Sequence, residues 1–309
     1  MGRALRTGNV LQRKVRNFSS WWLTPAVVCV GGLAVLVASA GAQRPDTSAL
    51  AVIRVAAQYV ADYQRQLTSV IADEIYTQQI AAREPSETDM PRQRRLRSEV
   101  FFMFAPDDRD WMAIRDVKEV DGNAAPDRLD LGEALRTLAS DEVAATFKAY
   151  NSRYNIGRTV RNFNEPTLSL LVLDERHRPR FMFERRQVQR SGDAWVVTMR
   201  FSEREGPTLI HDPNRGFMFS AGELVIEAGS GRIRRAMLQG SVGGERLQFD
   251  TTFAPDDRLG MWVPAAFREE YEFVAPPRSR ENPQAQYENI VCEARYSNFR
   301  RFETRVKIR

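Results

Sequence analysis

The sequence predicts an α+β fold: one large antiparallel sheet curled into a half-barrel, its concave face covered by about three helices. Three observations predict it. After Pro179 the dominant pattern is alternation, with Trp195, Val197, Met199 and Phe201 dry between Val196, Thr198 and Arg200; Leu247 to Phe253 and Phe302 to Ile308 repeat it. Turn residues separate these segments at short intervals, at Ser191-Gly192-Asp193, Glu205-Gly206-Pro207, Gly229-Ser230-Gly231, Gly243-Gly244 and Pro255-Asp256-Asp257, which favours up-and-down neighbours over crossovers. Helical spacing is confined to three stretches, so a long sheet with one dry face must bend around them.

The elements follow in chain order. Asp46, Thr47 and Ser48 offer capping oxygens, and Ile53, Ala56, Val60, Tyr63 and Leu67 then recur at steps of three and four, which predicts an amphipathic helix. Around Leu67 the period becomes two, with Val70, Ala72, Glu74, Tyr76 and Gln78 on one side of a strand. A polar loop over Arg83 to Arg92 precedes strands over Val100 to Phe104 and Trp111 to Val120, closed by an Asp121-Gly122 turn. Leu129 to Leu138 and Val143 to Tyr150 have helical spacing, and a third short helix is expected from Pro166, with Asn164 as a cap. Ala275 to Gln286, with three prolines, is a loop inside a single domain. Phe-Ala-Pro-Asp-Asp-Arg occurs at 104 to 109 and at 253 to 258, each time before a Trp, and reads as one hairpin solution used twice.

The first 42 residues are read as an export signal and residues 43 to 309 as the domain. Arg3, Arg6, Arg13, Lys14 and Arg16 precede an apolar run from Leu23 to Val37 that ends in Ala38-Ser39-Ala40-Gly41-Ala42, a small-x-small cleavage site. The run is shorter than the ~20 residues of a spanning helix. An uncleaved inner-membrane anchor is the alternative, and contact with the membrane is otherwise peripheral. Removing those five cations from the chain's 45 basic residues leaves 40 against 40 acidic, so no global basic field points to nucleic acid. Cys29 leaves with the signal, and Cys292, alternating with Ile290, Ala294 and Tyr296, reads as a small buried hydrophobe.

Catalytic chemistry is sparse. His177 and His211 sit in polar turn contexts, Asp107-Asp108 and Asp256-Asp257 follow prolines where Asp serves turn geometry, and the glycine pairs join strand to strand without forming a phosphate cradle. No catalytic residue, metal ligand or cofactor is assigned. The candidates for ligand binding are aromatic residues on the sheet, Phe102, Phe104, Trp111, Phe181, Phe183, Trp195, Phe253 and Trp262, which belong either to a packed core or to a cavity lining. A polar rim is expected from the connection around Tyr154, Asn155, Arg161, Asn162 and Asn164.

Several segments carry a resemblance. The ending Glu293-Ala294-Arg295-Tyr296-Ser297-Asn298-Phe299-Arg300-Arg301-Phe302, the pair Ile114-Arg115-Asp116-Val117 and Glu119-Val120-Asp121-Gly122, and the pair Tyr154-Asn155-Ile156-Gly157 and Asn164-Glu165-Pro166 look like stretches of an uncharacterised secreted bacterial family. With the order of elements, the chain resembles the periplasmic lipoprotein carrier and receptor superfamily of LolA-like, LolB-like and RseB-like proteins. That resemblance implies a periplasmic, non-enzymatic half-barrel whose apolar face holds an acyl or lipidated ligand. An envelope protein-protein interaction or regulatory module is the other class expected.

Overall fold

In a computed structural model, the residues described are 44–83, 92–105, 110–126, 128–137, 140–157, 161, 165–212, 216–275 and 286–302. The expected signal segment, the Pro276 loop, Asn162 and Asn164 lie outside them. Residues Arg44–Arg309 form one compact unit. Its elements are α1 (Ala49–Leu67), β1 (Val70–Arg83), β2 (Gln93–Ala105), β3 (Asp110–Val120), β4 (Asn123–Ala124), α2 (Leu131–Thr137), α3 (Ser140–Ser152) and a 3-10 segment at Leu168–Leu173. A 3-10 turn at Arg178–Arg180 leads into β5 (Phe181–Ser191) and β6 (Ala194–Glu203). A hairpin of β7 (Ile210–Asp212) and β8 (Gly216–Met218) precedes β9 (Ser220–Glu227), β10 (Ile233–Val242), β11 (Glu245–Asp256), β12 (Met261–Ala275) and β13 (Gln286–Arg301).

Eleven of these strands make one antiparallel sheet in the order β4-β3-β2-β1-β13-β12-β11-β10-β9-β6-β5, open at both edges. Most neighbours are consecutive in sequence, as the turn spacing predicts. The central seam is not: β1 pairs with β13 from Val70 opposite Arg301 to Arg83 opposite Glu288, so the first and last strands lock the middle of the sheet.

Curvature follows from what α1 touches. It packs on β2 and also on β5. These strands stand eight neighbours apart, about 38 Å in a flat sheet at ~4.8 Å per strand, whereas a helix is about 10–12 Å across. Only a sheet wrapped around α1 brings both against it. The Tyr63 ring shows the same geometry, lying edge-on to Trp111 of β3 at 6.1 Å and to Phe253 of β11 at 6.2 Å.

Ser48 caps α1, its Oγ accepting from the Ala51 N–H at 3.4 Å, and Val52, Ile53, Ala56, Val60, Tyr63 and Leu67 form its buried face. That face and the dry sides of β1–β3, β5, β6 and β9–β13 share one continuous core.

One helical expectation is met in 3-10 form and one is corrected. The short helix expected from Pro166 is the 3-10 helix over Leu168–Leu173, all of it buried. A run without a wet face plugs the trough and has no amphipathic stripe to lay on its surface. The α2–α3 pair does not roof the concave face. Its Leu131, Val143 and Phe147 pack on Ile71, Phe101 and Ile114, which alternate with the inward Ala72, Phe102 and Arg115 and therefore point outward. Arg128 fixes this layer by donating to both oxygens of buried Asp116, and Asn151 Nδ2 donates to the Arg115 carbonyl at 2.6 Å.

The Tyr296-Ser297-Asn298-Phe299 stretch is a β-bulge. Asn298 has φ of 53°, a left-handed conformation that Asn tolerates, and the β1–β13 register shifts between Ile71 and Asp73. The extra residue turns Phe299 inward beside Tyr296, and both rings meet Phe102, at 6.4 and 6.0 Å.

Gly231 is required by close approach. It has φ of 72°, and a Cβ there would run into the Val55 carbonyl of α1. Gly231→Ala and Tyr63→Ala should each lower the unfolding free energy measured in urea, Tyr63→Ala by about 3–5 kcal/mol as for other large buried aromatics. Leu50→Ala, at an 83% exposed position, should stay within about 0.5 kcal/mol in the same measurement.

Candidate functional site

Three features of the concave side are candidates; strand alternation builds the first and the third, while α1 and the 3-10 segment build most of the second. The first is the aromatic lining. Phe102, Trp111, Phe181 and Phe253 are buried in the core, while Phe104, Phe183, Trp195 and Trp262 are half-buried and packed against it. They come from β2, β3, β5, β6, β11 and β12, so the eight span the trough from one side to the other. Phe104 is edge-on to Trp111 at 5.4 Å, and Trp111 meets Tyr63 of α1.

The second is a groove of about 580 Å³ beside α1. Its apolar lining is Ala57 and Ala61 of the helix, Phe104 of β2 and Leu173 of the 3-10 segment. Alanines on successive turns of one helix face leave the space that larger side chains would fill. The polar lining is Gln58, Gln64, Arg65, Asp174, Glu175 and Arg178. Gln64 and Asp174 are buried at its wall, with Gln64 Nε2 donating to Asp174 Oδ2 at 3.3 Å, whereas Gln58, Arg65 and Glu175 are exposed. Asp174 is also held by the Arg176 N–H at 2.9 Å.

The third is a polar seam inside the core, where alternation carries Glu74 and Gln78 of β1, Arg115 of β3 and Glu269 of β12 to the dry face. Arg115 donates to both Glu74 oxygens, at 2.5 and 2.7 Å, and its guanidinium lies 4.5 Å from the centre of the Tyr76 ring. The Tyr76 and Tyr271 hydroxyls donate to one Glu269 oxygen, at 2.8 and 3.2 Å. Arg161 reaches in from the connection after α3, donating to the Ile156 carbonyl at 2.8 Å and to Gln78 Oε1. Gln78 Nε2 in turn donates to the Tyr154 carbonyl at 2.9 Å.

Of the expected polar rim, Tyr154 and Arg161 are therefore buried members of this seam, and Asn155 ties the connection to itself by donating to the Arg161 carbonyl at 3.3 Å. The seam itself was missed in the sequence. Its signal was present: Glu74 and Gln78 share a parity with Val70, Ala72 and Tyr76, and Glu269 sits between Phe267 and Tyr271 at inward positions.

Burial sets the protonation of the seam. It pushes the Glu269 carboxyl above its ordinary range, against the opposing pull of Arg115, the Tyr76 hydrogen bond and Arg161. Burial likewise holds the Cys292 thiol up at about 12, so the thiolate needed for reaction is absent near neutral pH. Among the described residues, no group of three or more His, Cys, Asp or Glu side chains is placed to hold a metal ion. Several arginines on outward positions are paired, Arg97 with Glu119, Arg234 with Glu227 and Arg235 with Asp250, while Arg94 faces Asp121 at 3.6 Å.

No family model matches the chain, and no curated protein does. Two solved structures align along most of it. One, from Vibrio parahaemolyticus, is described as an outer membrane lipoprotein-sorting protein domain; it is 9% identical over 83% of this chain and 94% of its own, with a TM-score of 0.35. The other, a DUF1329 family protein from Desulfovibrio piger, is 7% identical over 82% of this chain and 92% of its own, with a TM-score of 0.34. Both lie below the similarity from which a shared function follows, and the chain's fold rests on its own sheet.

Two outcomes test the seam. Arg115→Met strands a buried carboxylate and should cost about 3–5 kcal/mol in urea unfolding, a large part of which Glu74→Leu in the same chain should recover. For Glu269 the folded-state pKa lies above the ordinary 4.5, so the stability of its protonated form is complete below that value and is lost as pH rises through the folded value. Glu269→Gln keeps an acceptor for both tyrosines. Its midpoint relative to wild type should therefore rise as the pH is raised from 4.5 through the folded value.

Proposed function

We propose that this is an exported, non-catalytic binding protein of the periplasm that holds a lipid-like or lipidated ligand against the concave face of its sheet. The observation that carries this reading is the apolar trough with a single helical roof and a groove along that roof. Its apolar lining runs through Phe104 to the Trp111–Tyr63–Phe253 stack. Apolar surface that a mobile chain can reach takes up acyl groups because the transfer from water is worth about 0.8 kcal/mol per buried CH₂. Of the candidate lining residues, Phe104, Phe183, Trp195 and Trp262 are half-buried and offer the surface on which such a chain would lie, with Phe102, Trp111, Phe181 and Phe253 packed behind them. The basic, then apolar, then small-residue opening of the sequence supports export with cleavage after Ala40 or Ala42. No helix among the described residues is long and apolar enough to cross a membrane.

A second reading, an envelope interaction module, is favoured by one observation: Met182, Phe217 and Phe219 are each about half exposed, near the β5 edge and the β7–β8 hairpin. Loss of a co-purifying envelope protein on Phe217→Ser with Phe219→Ser would support it.

The carrier reading is tested with a brominated fatty acid, whose bromine quenches tryptophan at short range, and Trp111 stands directly behind Phe104 of the groove. Titration should quench the protein's emission saturably, and Trp111→Phe should remove most of the quenching. Native mass spectrometry of gently purified protein should carry acyl adducts, and a protein free of adducts and indifferent to the probe overturns the reading.

A further inference from the structure

The groove beside α1 carries both signs of charge next to an apolar lining, and this restricts the head group of anything lying in it. Arg65 and Arg178 supply two guanidiniums, and Asp174 and Glu175 two carboxylates. The balance has a local origin: Asp174, Glu175 and Arg178 lie within five residues after the buried 3-10 segment, while Arg65 stands one turn beyond Ala61 on the helix wall. Arg65 is itself held against Asp62 of its own helix, which reduces its pull on an outside anion.

The geometry points to a zwitterionic amphiphile as the ligand of this groove, one bearing a phosphate and an ammonium on a short polar head, with its chain on Ala57, Ala61, Phe104 and Leu173. The inference rests on the carrier reading and narrows it to a class of head group. A purely anionic head placed here meets two like charges for every two opposite ones. A head that carries both signs can turn its anion toward the arginines and its cation toward Glu175, the exposed carboxylate, while Asp174 is buried and already accepts from Gln64 and the Arg176 N–H, so the lining favours it over its anionic counterpart. A volume of about 580 Å³ falls in the range of about 300–1,000 Å³ typical of small-molecule sites.

The test compares two single-chain lipids with the same acyl group, lysophosphatidylethanolamine and lysophosphatidylglycerol, titrated into the exported protein and followed by tryptophan emission and native mass spectrometry. The ethanolamine head should bind at least about tenfold more tightly. The double variant Glu175→Gln with Arg178→Gln should bring the two within about twofold, and Ala61→Trp, which fills the groove, should weaken both. Equal binding, or preference for the glycerol head, in the wild-type protein overturns the head-group inference while leaving the carrier reading intact. Binding that Ala61→Trp does not weaken places the lipid outside the groove and also overturns it. Failure of both lipids to bind overturns the carrier reading itself. The wild-type comparison of heads decides the matter without any variant, and the variants are read only where their urea midpoints match wild type.

Discussion

One helix decides the shape of this protein. An eleven-stranded antiparallel sheet with a continuous dry face has more apolar area than a single helix can cover while the sheet lies flat, and α1 covers it because the sheet closes around the helix. Contacts of α1 with strands eight places apart, and of Tyr63 with both Trp111 and Phe253, are two expressions of that constraint. Every other inward element adapts to it. The 3-10 segment at Leu168–Leu173 fills the space that α1 leaves, and Thr251 Oγ1 donating to the Pro166 carbonyl at 2.6 Å pins that filler to β11.

The two faces of the sheet are stabilised by different physics. Outward, charge pairs run from strand to strand, as in Arg300 with Asp73 and Glu99, Arg268 with Glu293, and Arg246 with Glu272. Such exposed pairs contribute little each, but alternating signs across neighbours oppose register slips. Inward, the Glu74–Arg115 pair and the Glu269 cluster bind β1, β3 and β12 at the seam where the first and last strands meet. Buried polar contacts of this sort are demanding in geometry, and they specify which strands meet more than they add net stability.

A roofed trough with a groove along its roof connects this architecture to the proposed role. In the proposed role an incoming chain would compete with Tyr63 and Leu67 for the apolar surface that α1 already buries. The outer helices α2 and α3 are removed from that competition by the sheet itself, and their packing on Ile71, Phe101 and Ile114 stiffens the β1–β3 end. Of the half-exposed apolar residues, Met182 lies on β5 at the opposite edge, and Phe217 and Phe219 lie in and beside the β7–β8 hairpin.

The local rules of the chain were legible in its sequence. Ser48 as a cap, the period of three and four through Leu67, the switch to alternation at Val70, the Asp121-Gly122 turn and the antiparallel meander after Pro179 all depend on neighbours a few residues away, and there the residues alone determine the outcome. The candidate site was legible only as a set of inward aromatics. That Phe104 borders a groove while Phe102 is sealed, that Pro166 begins a 3-10 plug, that α2 and α3 lie on the outer face, and that Glu74, Arg115, Arg161 and Glu269 meet in the core depend on partners roughly 40 to 200 positions distant. Alternation tells which side of a strand is dry. Only the curled sheet, which places β1 against β13 and α1 between β2 and β5, determines what fills that side, because the pairing of distant strands is a property of the whole surface being buried at once.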